Sequence, residues 1–545
     1  MSTTHEVTNQ APPVPEHDAS DYPVYTEALE RHGVAPEARE RVREVGRAAG
    51  SAEAVELGIL AERHHPVLHT HDRYGHRVDR VEYDPAYHAL MRKAVGFGLH
   101  GSPWASDSPT AHLERATALS AWMQTDAGHV CPISMTYAAV PALRVDPALA
   151  ETFVPGLTTR TYDPSFVAPA TKTGLVAGMS MTEKQGGSDV RANTTRATDA
   201  GDGTYRITGH KWFTSAPMSD VLLTLAQAPD GLTCFVLPRV LPDGTPNAIA
   251  LQRLKDKLGN RSNASSEIEY DGAVGWRLGP EGRGVRTIIE MVNMTRLDCT
   301  LGSASSMRVG VQQALHHTRH RRAFGAALVD QPLMGNVLAD LAVEAEASST
   351  VALWLAALTD DTHRGDERAA ALRRIALAVS KYAVCKRSPG HAAEALECLG
   401  GNGYIEDSGM PRLYREAPLM SIWEGSGNVA ALDTLRAMAR QPESVQVFLD
   451  ELDEAAGADL HLDAAVLRLK KELSELKDAE YRARELVGLM ASTLQGSLLV
   501  RYGDEAVADA FTASRLGVHG TSVYGTLPVG VDVDRILQRA GAAVE

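Results

Sequence analysis

All four Asp-Gly dipeptides of this chain, at Asp202, Asp230, Asp243 and Asp271, fall in one window between Thr173 and Val274. They separate short β-prone runs: YRITGHKWF, VLLTLAQA, LTCFVLP and SSEIEY. Asp-Gly supplies the left-handed residues of tight hairpin turns, so residues 173–276 read as a β domain. On both sides the apolar residues recur three and four apart, as in EARERVREVGRAAG and LMGNVLADLAVEAEASSTVALWLAAL, which is helical spacing. The expected fold is mainly α with an inserted β domain. Its parts are a flexible tail (1–24), an N-terminal helical domain (25–172), the β domain (173–276), a C-terminal helical domain (277–440) and a helical extension (441–545). Strand and helix do not alternate, which argues against a Rossmann-type sheet.

Composition narrows the class. The 545 residues carry 54 Lys+Arg against 69 Asp+Glu, a formal charge of −15, with 44% hydrophobic residues. Such a chain buries several cores and is neither disordered nor fibrous. The longest purely apolar run, Val351–Leu358, is too short for a membrane span, and Met1–Pro23 is polar, so no membrane association and a cytoplasmic location are expected. The five cysteines, with no C-x-x-C pair, read as buried, reduced thiols. Five histidines crowd HHPVLHTHDRYGH, but Pro66 interrupts any helix carrying both His65 and His69, so packing rather than a metal site is expected.

Three Gly-rich segments stand out: MTEKQGGSDV at 181–190, ECLGGNGY at 397–404 and IWEGSGN at 422–428. None is a P-loop or a dinucleotide fingerprint. With the hydroxyls of Thr182, Ser188, Thr214 and Ser215, they offer the groups that hydrogen-bond a phosphate or the polar edge of a flavin. Three arginines within four residues, Arg319, Arg321 and Arg322, suit a diphosphate or a nucleic-acid backbone.

MTEKQGGSDV, GHKWFTS, RHRRAFG, LGGNGY and IWEGSGN, in this order, resemble the acyl-CoA dehydrogenase family of flavoproteins. MTEKQGGSDVRANTTRA, RLKDKLGNRSNASSEIEY, PRLYREAP and SIWEGSGN resemble in particular its AidB branch, the adaptive (alkylation) response proteins. The resemblance is strong from about His71 to Arg440 and weaker through the extension, to SVYGTLP. It implies a helical domain, a β-barrel-like domain and a four-helix bundle, assembled as a homotetramer that binds FAD. Met181, Thr182 and Ser188 would lie along the flavin, and Phe213, Thr214 and Ser215 would cover its far side. Arg321 would reach the pyrophosphate of a neighbouring subunit's FAD. Gly400, Gly401 and Gly403 would let backbone approach the cofactor, and Gly425, Ser426 and Asn428 would close over its nucleotide.

The resemblance also implies a reaction, α,β-dehydrogenation of an acyl-CoA thioester or another small-molecule substrate. Glu424, in the W-E-G motif, would remove the α-proton while the β-hydrogen leaves as hydride. Another branch takes its base from the helix before R-x-x-F-G; here that position is Thr295, which is no base. The alternative reading is a DNA-associated protective flavoprotein of the alkylation response, with a structural or detoxifying flavin. The extension carries ten Lys and Arg against eighteen Asp and Glu, a net charge of −8, which disfavours DNA there. A local patch of Lys470, Lys471, Arg482, Arg484, Arg501, Arg515, Arg535 and Arg539 would be needed, and the interleaved acids of LRLKKELSELKDAEYRARE favour intrahelical pairing instead.

Overall fold

The computed structural model describes residues 4–517 and 523–541. Met1–Thr3 of the expected tail, and residues 518–522 and 542–545 of the expected extension, lie outside the described residues. The chain opens with helices α1 (Pro23–Arg31), α2 (Pro36–Ala49) and α3 (Ala52–Arg63). A hairpin, β1 (Val67–His71) and β2 (Arg77–Glu82), precedes α4 (Pro85–Gly96), α5 (Ala111–Trp122), α6 (Val130–Leu143) and α7 (Pro147–Thr158). Seven strands follow: β3 (Ala177–Ser180), β4 (Arg196–Asp199), β5 (Tyr205–Ser215), β6 (Val221–Ala228), β7 (Gly231–Pro238), β8 (Ile249–Leu254) and β9 (Ser265–Leu278). Then come α8 (Gly284–His320), a short hairpin β10 (Arg322–Ala323) and β11 (Ala326–Ala327), α9 (Pro332–His363), α10 (Glu367–Glu397), α11 (Met410–Glu416) and α12 (Gly427–Arg440). The extension holds α13 (Pro442–Asp453), α14 (Leu460–Ser474), α15 (Ala483–Tyr502), α16 (Glu505–Phe511) and α17 (Val533–Ala540). Helix starts follow local chemistry. Proline opens α1, α2, α4, α7, α9 and α13, where its missing N–H costs nothing, and Asp84, Asp146, Asp366, Asp459, Asp504 and Asp532 cap helices with their carboxylates.

The chain divides into two compact units. One comprises Met1–Ser51, His112–Gln124 and Cys299–Glu545; the other, Ala52–Ala111 and Thr125–Asp298. In the second, β6, β4, β5, β9 and β7 pair in a closed ring, with β3 on β6 and β8 on β9. Ile207, Leu222, Phe235, Leu237, Leu251, Ile268 and Ala273 fill its interior. The Asp-Gly pairs are not equivalent. Asp230-Gly231 closes the β6–β7 hairpin, pairing Ala228 with Gly231. Asp271-Gly272 is instead a bulge inside β9, since Ile207 faces Ala273 and Thr208 faces Asp271, leaving Gly272 unpaired at φ +76°.

Two expectations are corrected. The N-terminal region is not purely helical, because β1 and β2 form an antiparallel hairpin whose turn is set by Asp72 accepting from the amides of Tyr74 (2.8 Å) and His76 (2.9 Å). The tail is not free either. Asn9 donates to the Arg322 carbonyl (2.9 Å) and accepts from its amide (2.8 Å), His316 Nε2 donates to the Pro12 carbonyl (2.8 Å), and Gln312 donates to His17 Nε2 (2.8 Å). Polar backbone without secondary structure finds its partners on α8.

In the first unit α9 passes through the core. It is the one helix among the described residues long and apolar enough to cross a membrane, and its apolar window is wholly buried in the fold. Leu338, Leu341 and Val343 of α9 pack with Val311, Leu499, Phe511 and Ile536. The apolar-patterned run 462–490 is two helices, broken between Ser474 and Ala483. Arg515 of the extension pairs with Asp340 (2.5 Å) and Glu344 (3.2 Å) of α9, and Arg387 of α10 pairs with the same Glu344 (2.6 Å). Burial would raise the Glu344 pKa; the two guanidiniums prevail and hold it at about 2.

Beside this cluster His391 is fully buried, with Nε2 donating to the Leu341 carbonyl (3.0 Å). Burial pushes its imidazole from 6.5 down to about 4. The unfolded chain takes up that proton first, so stability is expected to fall as pH drops through the window between these values, by ~1.4 kcal/mol per pH unit. Urea unfolding of wild type and His391→Gln at pH 7, 5.5 and 4.5 checks this. The variant should lose less stability over the window, and equal slopes would exclude His391 as the source.

Candidate active site

The site residues expected from sequence fall in both units, and each set has its own architecture. In the second unit the segment after β3 is pinned to β5 where Trp212 donates its amide to the Thr182 carbonyl (2.8 Å). Met181 and Thr182 are half-buried and Ser188 is exposed. A Cβ on Gly187 would stand 2.4 Å from Thr182 Oγ1, so a glycine is what lets that hydroxyl occupy its place. Beneath the segment lies a pair absent from the sequence reading. Glu183 Oε1 meets Lys211 Nζ at 3.0 Å with both side chains fully buried. The carboxylate also accepts from the amides of Thr194 (2.7 Å) and Thr195 (3.1 Å), and Lys211 donates to the Leu225 carbonyl (2.7 Å). Burial acts to raise the Glu183 pKa, but the Lys211 ammonium and the Thr194 amide hold it well below the carboxylate range.

On β5 the side chains alternate. Phe213 is exposed, with Lys255 Nζ 4.8 Å from its ring centroid, and Ser215 is half-buried with Oγ 3.3 Å from Ser265 Oγ. Thr214 departs from its expected role. Its hydroxyl points into the β domain, fully buried and 2.5 Å from Ser180 Oγ, because consecutive strand residues face opposite ways. Thr214 is a core residue, and the open face belongs to Phe213 and Ser215.

In the first unit Arg321 directly follows α8, and its guanidinium donates to the Asn9 carbonyl of the N-terminal segment. Phe324 and Gly325 form the β10–β11 turn at φ +51° and +86°. After α10, Gly400 and Gly401 are exposed, and a Cβ at either would meet nothing within 4 Å. Gly403 differs from its expected role, since a Cβ there would lie 2.1 Å from the Leu396 carbonyl. Its missing side chain serves the close return of chain onto α10. Glu424, half-buried, has φ +57°, a left-handed conformation costly for a residue with a Cβ, and Gly425 follows at +99°. Ser426 stands at the N-cap of α12 without using its hydroxyl as a cap. Asn428 accepts from Arg484 Nε (2.8 Å), tying α12 to the extension. In the second unit Thr295 is buried, with its hydroxyl donating to the Val292 carbonyl (3.0 Å).

The histidine-rich segment pairs off with carboxylates: His64 with Asp84 (2.7 Å), His69 with Glu82 (2.9 Å) and His76 with Asp72 (3.1 Å). Among the described residues no three metal-ligating side chains converge. All five cysteines are buried free thiols.

Three family profiles match in succession: the adaptive response protein AidB N-terminal domain over residues 9–164, the acyl-CoA dehydrogenase middle domain over 178–273, and the acyl-CoA dehydrogenase C-terminal domain over 282–439. AidB of Escherichia coli (strain K12) is 42% identical over 522 residues, covering 95% of each chain. The chain belongs to the AidB branch of the acyl-CoA dehydrogenase family. A solved structure of Caenorhabditis elegans ACDH-11 in complex with C11-CoA superposes with TM-score 0.86 at 28% identity, covering 96% of this chain and 94% of that one. A Mycobacterium smegmatis glutaryl-CoA dehydrogenase solved with FADH2 shares the fold, with TM-score 0.59 at 16% identity over 77% of this chain and 99% of that one. The AidB-branch chain is an FAD-dependent oxidoreductase of the acyl-CoA dehydrogenase type.

Proposed function

We propose that this chain dehydrogenates an acyl-CoA thioester, with Glu424 as the base that takes the α-proton. The observation that carries the reading is the carboxylate itself, presented by a left-handed residue between Trp423 and Gly425 in the loop before α12. A flexible surface glutamate would relax out of that conformation. The residues present fit FAD. Gly400 and Gly401 leave open the volume a Cβ would fill, Phe213 offers an exposed aromatic face, and the Ser426 hydroxyl is not spent on capping. Thr182 and Ser188 would bond the polar edge of the flavin, and Gly425 and Asn428 would border its nucleotide part. When bound, FAD supplies the acceptor for the β-hydrogen. The chain's own task is to exclude water, orient the thioester and hold the carboxylate ready for its proton. The substrate class is supported by the C. elegans relative, which is described in complex with C11-CoA. The same reading carries a homotetramer, with Arg321 directed to a neighbouring subunit's cofactor.

Anaerobic titration of the purified holoprotein with a panel of acyl-CoAs tests this. Loss of the flavin absorbance band is expected with at least one chain length; a protein that takes up FAD but is bleached by none defeats the substrate assignment.

No observation favours DNA as a partner. Of the eight cations a patch would need, Lys470, Arg482, Arg501, Arg515, Arg535 and Arg539 are paired with carboxylates. Arg484 is bonded to Asn428. Duplex binding, measured by fluorescence anisotropy, is expected to be weaker than ~10 μM at physiological salt, in or below the range of non-specific association. A submicromolar dissociation constant would restore the alternative.

A further inference from the structure

Lys381, on α10, carries an ammonium group that no step above employs, and its side chain is only 1% exposed. Its neighbour Cys385 belongs to a small buried cluster with Cys299 and Met420, against which Trp423 packs. Its hydrogen bonds go to the protein backbone. Nζ donates to the Trp423 carbonyl (2.9 Å) and to the Gly425 carbonyl. These two carbonyls belong to the residues on either side of Glu424. One buried cation therefore holds both ends of the three-residue turn that carries the carboxylate.

The physical consequence follows from the backbone. Two carbonyls converging on one ammonium fix the Trp423–Glu424 and Gly425–Ser426 peptide planes, and Glu424, between them, sits at φ +57°. A left-handed glutamate is unfavourable and persists only where its surroundings over-determine it. Charge-assisted hydrogen bonds from Lys381 are such a constraint, stronger than neutral ones. Burying an ammonium is itself costly, and packing alone would be served better by methionine. We propose that Lys381 is the positioning residue of this site. It clamps the Trp423 and Gly425 carbonyls and so fixes the direction in which the Glu424 carboxylate is presented. Lys381 touches neither the substrate nor the reacting atoms; it acts through the turn.

The inference rests on the reading of Glu424 as the base, and its test separates the two. Wild type, Lys381→Met and Lys381→Gln are compared as FAD-loaded protein. Methionine keeps the apolar stem and removes the donors, whereas glutamine keeps two N–H donors. In Lys381→Met, amide hydrogen exchange over residues 422–427 is expected to rise about tenfold or more, as local opening becomes easier. Bleaching by the best acyl-CoA should slow ~10²-fold, as for a misplaced reacting group, with little change in half-saturating concentration. Lys381→Gln should recover most of the exchange protection and part of the rate. Exchange in Lys381→Met equal to wild type overturns the proposal. Equal loosening in both variants also overturns it, since that marks a packing role. If Lys381→Met does not fold, Lys381→Gln decides alone: protection within about threefold of wild type supports the clamp, and greater loss refutes it. A wild-type protein that no acyl-CoA bleaches defeats the assignment of Glu424 but leaves the exchange comparison intact.

Discussion

Replacing Glu424 with glutamine is expected to leave a yellow protein that acyl-CoA bleaches ~10²–10⁴-fold more slowly, the range a positioned general base contributes. Glutamine has nearly the shape of glutamate and can occupy the same turn, so the neighbouring Gly425, Ser426 and Asn428 are not disturbed. What disappears is the proton acceptor. The α-proton of a thioester is far too weakly acidic for a carboxylate in water, and the reaction depends on a base held in a site from which water is excluded. No substitute is at hand in the family's other base position, because Thr295 is buried and its hydroxyl is donated to a helix carbonyl. Stopped-flow measurement of flavin absorbance under anaerobic conditions checks the rate, and the flavin content of the purified variant checks that the cofactor is kept. Bleaching of Glu424→Gln within threefold of wild type would remove Glu424 from the mechanism. Loss of FAD from the variant would instead assign it a structural role in the loop before α12.

Much of the fold is legible in the sequence, and the exceptions have physical causes. Asp230-Gly231 marks a hairpin because Gly231, at φ +116°, supplies the positive-φ residue that receives the chain from the Pro229-Asp230 turn. Asp271-Gly272 carries the same letters but marks a bulge, since the same conformation also serves an unpaired residue within a strand. The β1–β2 hairpin escaped because its signal is a single Asp72 side chain bonding its own turn, in a segment crowded with histidines. Motif matching placed Phe213, Thr214 and Ser215 together, yet strand alternation turns Thr214 inward. Gly400, Gly401 and Gly403 look alike in sequence, and only the nearby Leu396 carbonyl separates the last from the others. Pairings across long separations are the least legible. Asn9 with Arg322, Glu183 with Lys211, and Lys381 with the turn around Glu424 leave no periodic trace. One signal was available for the second pair. A glutamate follows Met181-Thr182 and a lysine precedes Trp212-Phe213, charged residues set directly beside the two flavin motifs.

That pair carries the second large expected effect. Lys211→Met should destabilise the protein by ~3–5 kcal/mol, because it removes the cation and leaves a buried carboxylate behind. Glu183 would keep its bonds from Thr194 and Thr195, which soften the loss but cannot replace a full charge 3.0 Å away. The pKa of Glu183 gives the sign of the pH dependence. A folded-state value below the ordinary 4.5 means that the pair's contribution is fully present above that pH and fades only on further acidification. The difference between wild type and Lys211→Met should therefore be large at pH 7 and shrink in acid. A double variant, Glu183→Gln with Lys211→Met, should recover part of the loss, since no uncompensated charge remains. Urea unfolding of the three proteins at pH 7 measures these differences; a loss below ~1 kcal/mol for Lys211→Met would show that water or rearrangement reaches the carboxylate. The functional consequence runs through the segment above the pair. Met181 and Thr182 are held by a carbonyl bond to Trp212 and by Glu183 beneath them, so loosening the pair frees the edge against which the flavin would lie. FAD affinity, read by fluorescence of released flavin, should fall in Lys211→Met even where the protein remains folded. In Glu424→Gln it should not, which separates a fault in holding the cofactor from a fault in moving the proton.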